Sequence, residues 1–213
     1  MRLLLRSALL LINGLCIGQS LVIGLKGGVR ATDDVTGDAT TESKRYIAGP
    51  MVEVGLPLGL GVEFDALYHR HGYRTAFGNF AGSSFSRERA NSWEFPLLLK
   101  YRLPLPGIKP YVGAGYAART IHGSIDSVGY TIDLRNGQAT FGSTHYDPKW
   151  DIGGGAVVTA GVELRVSRLR LSPEFRYTHW TGAAINVAGS QGYGYQSNEN
   201  QLDVLVGIGW KVH

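Results

Sequence analysis

Cysteine is nearly missing from the 213 residues: Cys16 is the only one. It falls in a segment expected to be removed, which would leave no thiol to mispair in an oxidising compartment and suits export. Long apolar runs are missing as well. Beyond roughly the first two dozen residues none approaches the ~20 needed for a membrane-spanning helix, which excludes a helical membrane protein. An excess of one charge sign is missing too, with 21 Lys and Arg against 17 Asp and Glu. The net charge of +4 is small and no clustered basic stripe appears, so nucleic acid is not an expected partner.

What is present begins with a targeting pattern. Arg2 and Arg6 flank the start of the short apolar run LLLRSALLLINGLCIG, and Gly18-Gln19-Ser20 supplies a small-x-small cleavage site. Residues 1–20 are therefore expected to be a cleaved signal peptide and 21–213 a single domain. Asn13-Gly14-Leu15 before Cys16 match a lipoprotein signal poorly, so lipidation is not expected.

The rest of the chain alternates with a period of two, the mark of extended strands with unlike faces. In QLDVLVGIGWKVH, Leu202, Val204, Val206, Ile208, Trp210 and Val212 oppose Gln201, Asp203, Leu205, Gly207, Gly209 and Lys211. Seven further stretches behave alike: LVIGLKGGV, RYIAGPMVEVGL, GLGVEFDALYH, SWEFPLLLKYR, PYVGAGYAAR, AVVTAGVELR and RLRLSPEFRYT. Short connections around Pro57, around Pro104 and Pro106, and around Ser167 alternate with long polar ones, roughly 32–43, 74–90, 121–150 and 181–198. That rhythm predicts an all-β, eight-stranded, antiparallel up-and-down barrel.

Which face points inward depends on the outer solvent. A soluble barrel hides its apolar face, whereas a membrane barrel turns it to lipid. The face opposite the apolar one is rich in glycine, which suits a lumen barely wide enough for side chains. That same face carries Glu53, Glu63, Asp65, Glu94, Glu163, Glu174 and Asp203 with Lys100, Arg102, Arg165, Arg170 and Arg176, alongside Lys26, Arg119 and Lys211. Mixed charges of this kind can pair inside a barrel. The apolar face has no charge at any strand centre, where a lipid-facing Arg or Lys would cost about 2–4 kcal/mol. Its aromatics gather near strand ends: Tyr46, Tyr68, Trp93 and Tyr177 toward the long loops, Tyr101 and Trp210 toward the short turns. Two interfacial girdles are thereby predicted, giving a transmembrane barrel with a side-chain-filled lumen.

In this pattern the sequence resembles the outer-membrane β-barrel superfamily of the OmpA/OmpX and opacity-protein type, over about 21–213. Such families end in a signal read by the barrel-assembly machinery, polar-x-Gly-x-x-aromatic-x-aromatic. Gly207, Trp210 and Val212 fall at that spacing, with departures at Leu205, at Val212 itself and at the extra His213. The resemblance implies a location in the bacterial outer membrane, contact with outer-membrane lipid and lipopolysaccharide, a periplasmic N-terminus and long loops outside the cell. A monomer is expected.

Chemistry has one candidate. FRYTHWTGAAIN is similar to the His-x-Ser-Asn motif of outer-membrane lipid A deacylases, with His179 as base, Thr181 in the nucleophile's place and Gly182 where Asn would be. A base two residues from a hydroxyl on one strand face can activate it. No partner carboxylate shares that face, so a non-catalytic strand end is the expectation. His69 and His71 share a face but, beside Arg70 and Arg74, are expected to be solvated interface residues. His122 and His145 lack a third ligand, and Asp147 and Asp151 lack the ligand density of a calcium loop, so neither metal nor cofactor is expected. A lumen plugged by charged side chains is not expected to conduct. The remaining role is structural or interactive, through the outer loops.

Overall fold

A computed structural model describes residues 20–33, 35–37, 40–41, 44–79, 81–105, 108–147, 152–182, 186–188 and 194–212. The expected signal segment up to residue 19, Asp151 and His213 lie outside these. Eight antiparallel strands close into a ring. They are β1 (Ser20–Arg30), β2 (Lys44–Gly55), β3 (Leu60–Asp65 continued in the same register by Leu67–Asn79), β4 (Gly82–Arg102), β5 (Lys109–Ile132), β6 (Gly153–Val166), β7 (Leu169–Trp180) and β8 (Asn200–Lys211). Each strand pairs with its neighbour in sequence, and β8 pairs back onto β1, with Val22 opposite Lys211 and Arg30 opposite Asp203.

Side-chain direction follows the period-two pattern. Leu25, Val29, Val52, Phe64, Leu97, Leu99, Val112, Val158, Phe175, Val206 and Ile208 all point out and are exposed. The alternate residues are buried, and many of them are charged. Glycine permits close strand approach at two kinds of place. A Cβ on Gly28 would lie 2.0 Å from the Val204 carbonyl oxygen, so the β1–β8 seam tolerates no side chain there. Gly59, at φ +79°, ends the Pro57–Gly59 turn and packs against the Arg102 carbonyl.

Two of the expected long connections are largely strand. Residues 74–90, read from the sequence as irregular, continue β3 and β4 as a hairpin out to Asn79 opposite Gly82. Likewise β5 runs 24 residues to Ile132 and returns as Ala139–Tyr146. About 9–11 residues suffice to cross the hydrocarbon, so these strands project far past the wall as a sheet. The reason is that a strand standing in water needs no apolar face, and the alternation that marks a lipid-facing strand fades. A smaller sheet of Val35–Gly37, Asn186–Ala188 and Gly194–Ser197 lies at the same end.

Candidate functional site

The lumen is filled by ion pairs in three layers, each balanced in sign. The middle layer sets Lys26, Lys100 and Arg176 against Glu63, Asp65 and Glu174. Lys26 donates to Glu63 (2.5 Å), Asp65 (3.1 Å) and Glu174 (3.3 Å), while Lys100 reaches Glu63 at 2.6 Å. Tyr111 donates to Glu174 at 2.8 Å and lies under the Lys100 ammonium, 4.4 Å from its ring centre. Toward the short turns, Arg102 and Arg170 clasp Glu53 and Glu163. Arg165, expected within the lumen, sits at the mouth with its side chain 43% exposed and bonds Glu163 from there. Toward the outer end, Arg30 donates to Asp203 (3.0 Å) and Glu94 (2.8 Å), and Gln201 bridges the same two acids. Arg119 stacks on Trp180 at 4.1 Å.

Such networks persist in a buried lumen because the innermost ions, Lys26, Lys100, Arg176, Glu63 and Glu174, each have two or more partners of opposite charge. Taking one away leaves an uncompensated charge, at about 3–5 kcal/mol. Above the outer layer His69, His71, Tyr73, Thr75, Glu88 and Ser92 are buried on the inner face. This corrects the expectation that His69 and His71 are solvated. Their position in the alternation places them inward; His69 Nδ1 meets the Tyr46 carbonyl at 2.9 Å, and the Tyr73 hydroxyl lies 3.0 Å from His71 Nδ1. Burial pushes the Glu88 carboxyl up to about 7. A cavity of about 10 Å³, room for about one water, opens among Arg30, His71, Tyr73, Arg119 and Gln201.

On the outer face Tyr46, Tyr68, Trp93 and Tyr177 lie toward the projecting strands, and Tyr101 and Trp210 toward the short turns. Trp93 stacks with Phe95, and Tyr68 meets Trp93 at 5.4 Å. Gly207 faces the lumen, whereas Trp210 and Val212 point out at 53% and 47% exposure.

His179 and Thr181 are not brought together as base and nucleophile. His179 Nδ1 lies 2.9 Å from the Asn200 amide oxygen, which also takes the Tyr177 hydroxyl at 2.6 Å. The Thr181 hydroxyl donates to the Gly154 carbonyl at 2.8 Å. Among the described residues no group of three or more His, Cys, Asp and Glu side chains could hold a metal. His145 instead pairs with Asp126 (2.6 Å) and Asp147 (3.4 Å), and Asp126 holds its imidazole protonated to higher pH than usual.

Together the closed ring, the apolar outer wall and the ion-filled core define a transmembrane β-barrel of eight strands. No protein-family model matches the chain, and no curated protein matches it in sequence. Among solved structures it is similar to Neisserial surface protein A, at 14% identity and TM-score 0.46, over 91% of this chain and 99% of that one. It is also similar to the N-terminal β-barrel domain of Pseudomonas aeruginosa OprF, at 12% and 0.41, over 91% and 96%. A third is the outer membrane protease OmpT from Escherichia coli, at 10% and 0.40, over 91% and 95%.

Proposed function

We propose that the protein is an integral barrel of the bacterial outer membrane that acts by surface interaction through its projecting sheet. It neither catalyses a reaction nor conducts solutes. The observation that carries the interactive role is the outward face of that sheet, where Phe85, Val128, Tyr130 and Phe141 are exposed, Phe141 at 78%. Tyr130 and Phe141 touch at 5.9 Å across the hairpin. A contiguous aromatic patch raised beyond the lipid boundary is unfavourable in water and suits a partner surface. The non-catalytic reading is supported by the Thr181 hydroxyl, which is spent on a carbonyl, and by the amide rather than carboxylate beside His179. The protein works as a monomer, in contact with outer-membrane lipid and lipopolysaccharide. The barrel-assembly machinery inserts it by reading Gly207, Trp210 and Val212.

Orientation gives the test. With Cys16 in the segment expected to be removed, Phe141→Cys and Ser167→Cys each place one thiol on the barrel. In intact cells a membrane-impermeant maleimide should label the variant at 141 and spare the one at 167, which should react only once the envelope is opened. The reverse pattern, or a protein recovered without detergent, would overturn the proposal. For catalysis, purified protein incubated with lipid A should release no fatty acid, and His179→Ala should change nothing. Release that depends on His179 would make it a hydrolase.

A further inference from the structure

Strand pairing assembles a basic patch that no linear stretch contains. Lys44 on β2 lies opposite Arg70 on β3, and Arg89 on β4 lies opposite Gly72, one step diagonal from Arg70. Directly opposed residues are about 4.5–5.5 Å apart at Cβ and diagonal ones roughly 7–8 Å, so three cations share one small area. All three are exposed on the outward face, and among the described residues none is ion-paired. A further row out, Arg74 lies opposite Arg87, which faces Asp126 on its other side. Among the described residues Asp126, which pairs with His145, is the one carboxylate of these rows on that face. Like charges placed opposite one another destabilise a sheet unless an anion lies between them.

The height of the patch fixes the source of that anion. One row below Arg70 are Tyr68 and Trp93, whose rings meet at a tilt in the outer girdle, and the Tyr68 hydroxyl donates to Asn91 beside Arg70 at 2.6 Å. The cations therefore point sideways, immediately above the boundary where acyl chains give way to headgroups. A soluble polyanion would approach the strand tips; a lipid standing beside the wall presents its headgroup at this level. Resting on the membrane reading above, we propose that Lys44, Arg70 and Arg89 form a binding site for the phosphate of an outer-leaflet lipid, its acyl chains lying against Tyr68, Trp93 and Phe95. The two guanidinium groups offer forked donors to phosphate oxygens and Lys44 a point charge.

Folded barrel in neutral detergent, titrated with bisphosphorylated lipid A and followed by native mass spectrometry, should bind it saturably. The same lipid stripped of phosphate should bind at least tenfold more weakly. Arg70→Gln/Arg89→Gln should weaken binding of the phosphorylated lipid about tenfold, and Arg89→Gln alone severalfold. Arg135→Gln, which removes an equal charge from the exposed distal turn, should leave it unchanged. Equal binding by the double variant, equal binding of the dephosphorylated lipid, or equal affinity for inositol hexakisphosphate as a soluble polyanion would each overturn the site. Heat-modifiable mobility, read on every variant before titration, separates loss of the site from loss of the barrel. A wild-type protein without that shift would instead refute the membrane reading itself.

Discussion

Lys26 touches three carboxylates contributed by β3 and β7 at the centre of the barrel. Lys26→Met leaves Glu63, Asp65 and Glu174 with two cations in a dry layer, and unfolding by urea should show a loss of about 3–5 kcal/mol. Adding Glu63→Gln should recover part of that loss, since the second change removes a charge the first left unpaired. Glu88 behaves oppositely. Its carboxyl is raised from the ordinary 4.5 to about 7, so the folded state holds a proton that the unfolded state releases. Stability should therefore fall as pH rises from about 4.5 to 7. Glu88→Gln should stabilise by about 1 kcal/mol at pH 8, allowing for screening at the wet mouth, and change nothing at pH 4. Alternation in the sequence makes the inward direction of Lys26, Glu63 and Glu174 legible. Their partnership is not, because closure joins residues 37 and 148 positions apart. The inward position of His69 and His71 is hidden in the sequence for another reason. Polar residues beside arginines look solvated until the strand is known to stand over Glu94 and Arg30.

At the scale of the element, the hairpins show where sequence reading loses its grip. Within the wall one face meets hydrocarbon, and β2, β7 and β8 can be traced almost residue by residue. Past Trp93 both faces of β3, β4 and β5 meet water or polar neighbours, so SFSRERA and HGSIDSV carry no periodic signature although they are strands. The basic site has the same origin. Lys44, Arg70 and Arg89 are scattered in sequence and meet only through register. Because the hairpin of β5 with Ala139–Tyr146 stands apart from the filled lumen, it should be dispensable for closure. Replacing 123–145 by an Asn-Gly turn should leave heat-modifiable mobility intact and unfolding free energy within about 1 kcal/mol of wild type.

For the whole molecule, three balanced layers of ions occupy the lumen from the Arg102 end to the Arg119 end. Eight strands enclose only the room that side chains fill. Reconstituted in a planar bilayer, the protein should show no steady large conductance; sustained channel currents would mean that the ion layers open together. The same closure has a consequence in time. The first strand finds its second neighbour only in the last, Ile23 meeting Trp210 near the far end of the chain. Until β8 arrives, β1 and β7 each present a row of bare amides, and hydrocarbon makes such edges intolerable. A half-made barrel thus has nowhere to rest. The chain has to be delivered whole before any of it can settle, and a version lacking 202–213 should accumulate as aggregate rather than as a smaller barrel.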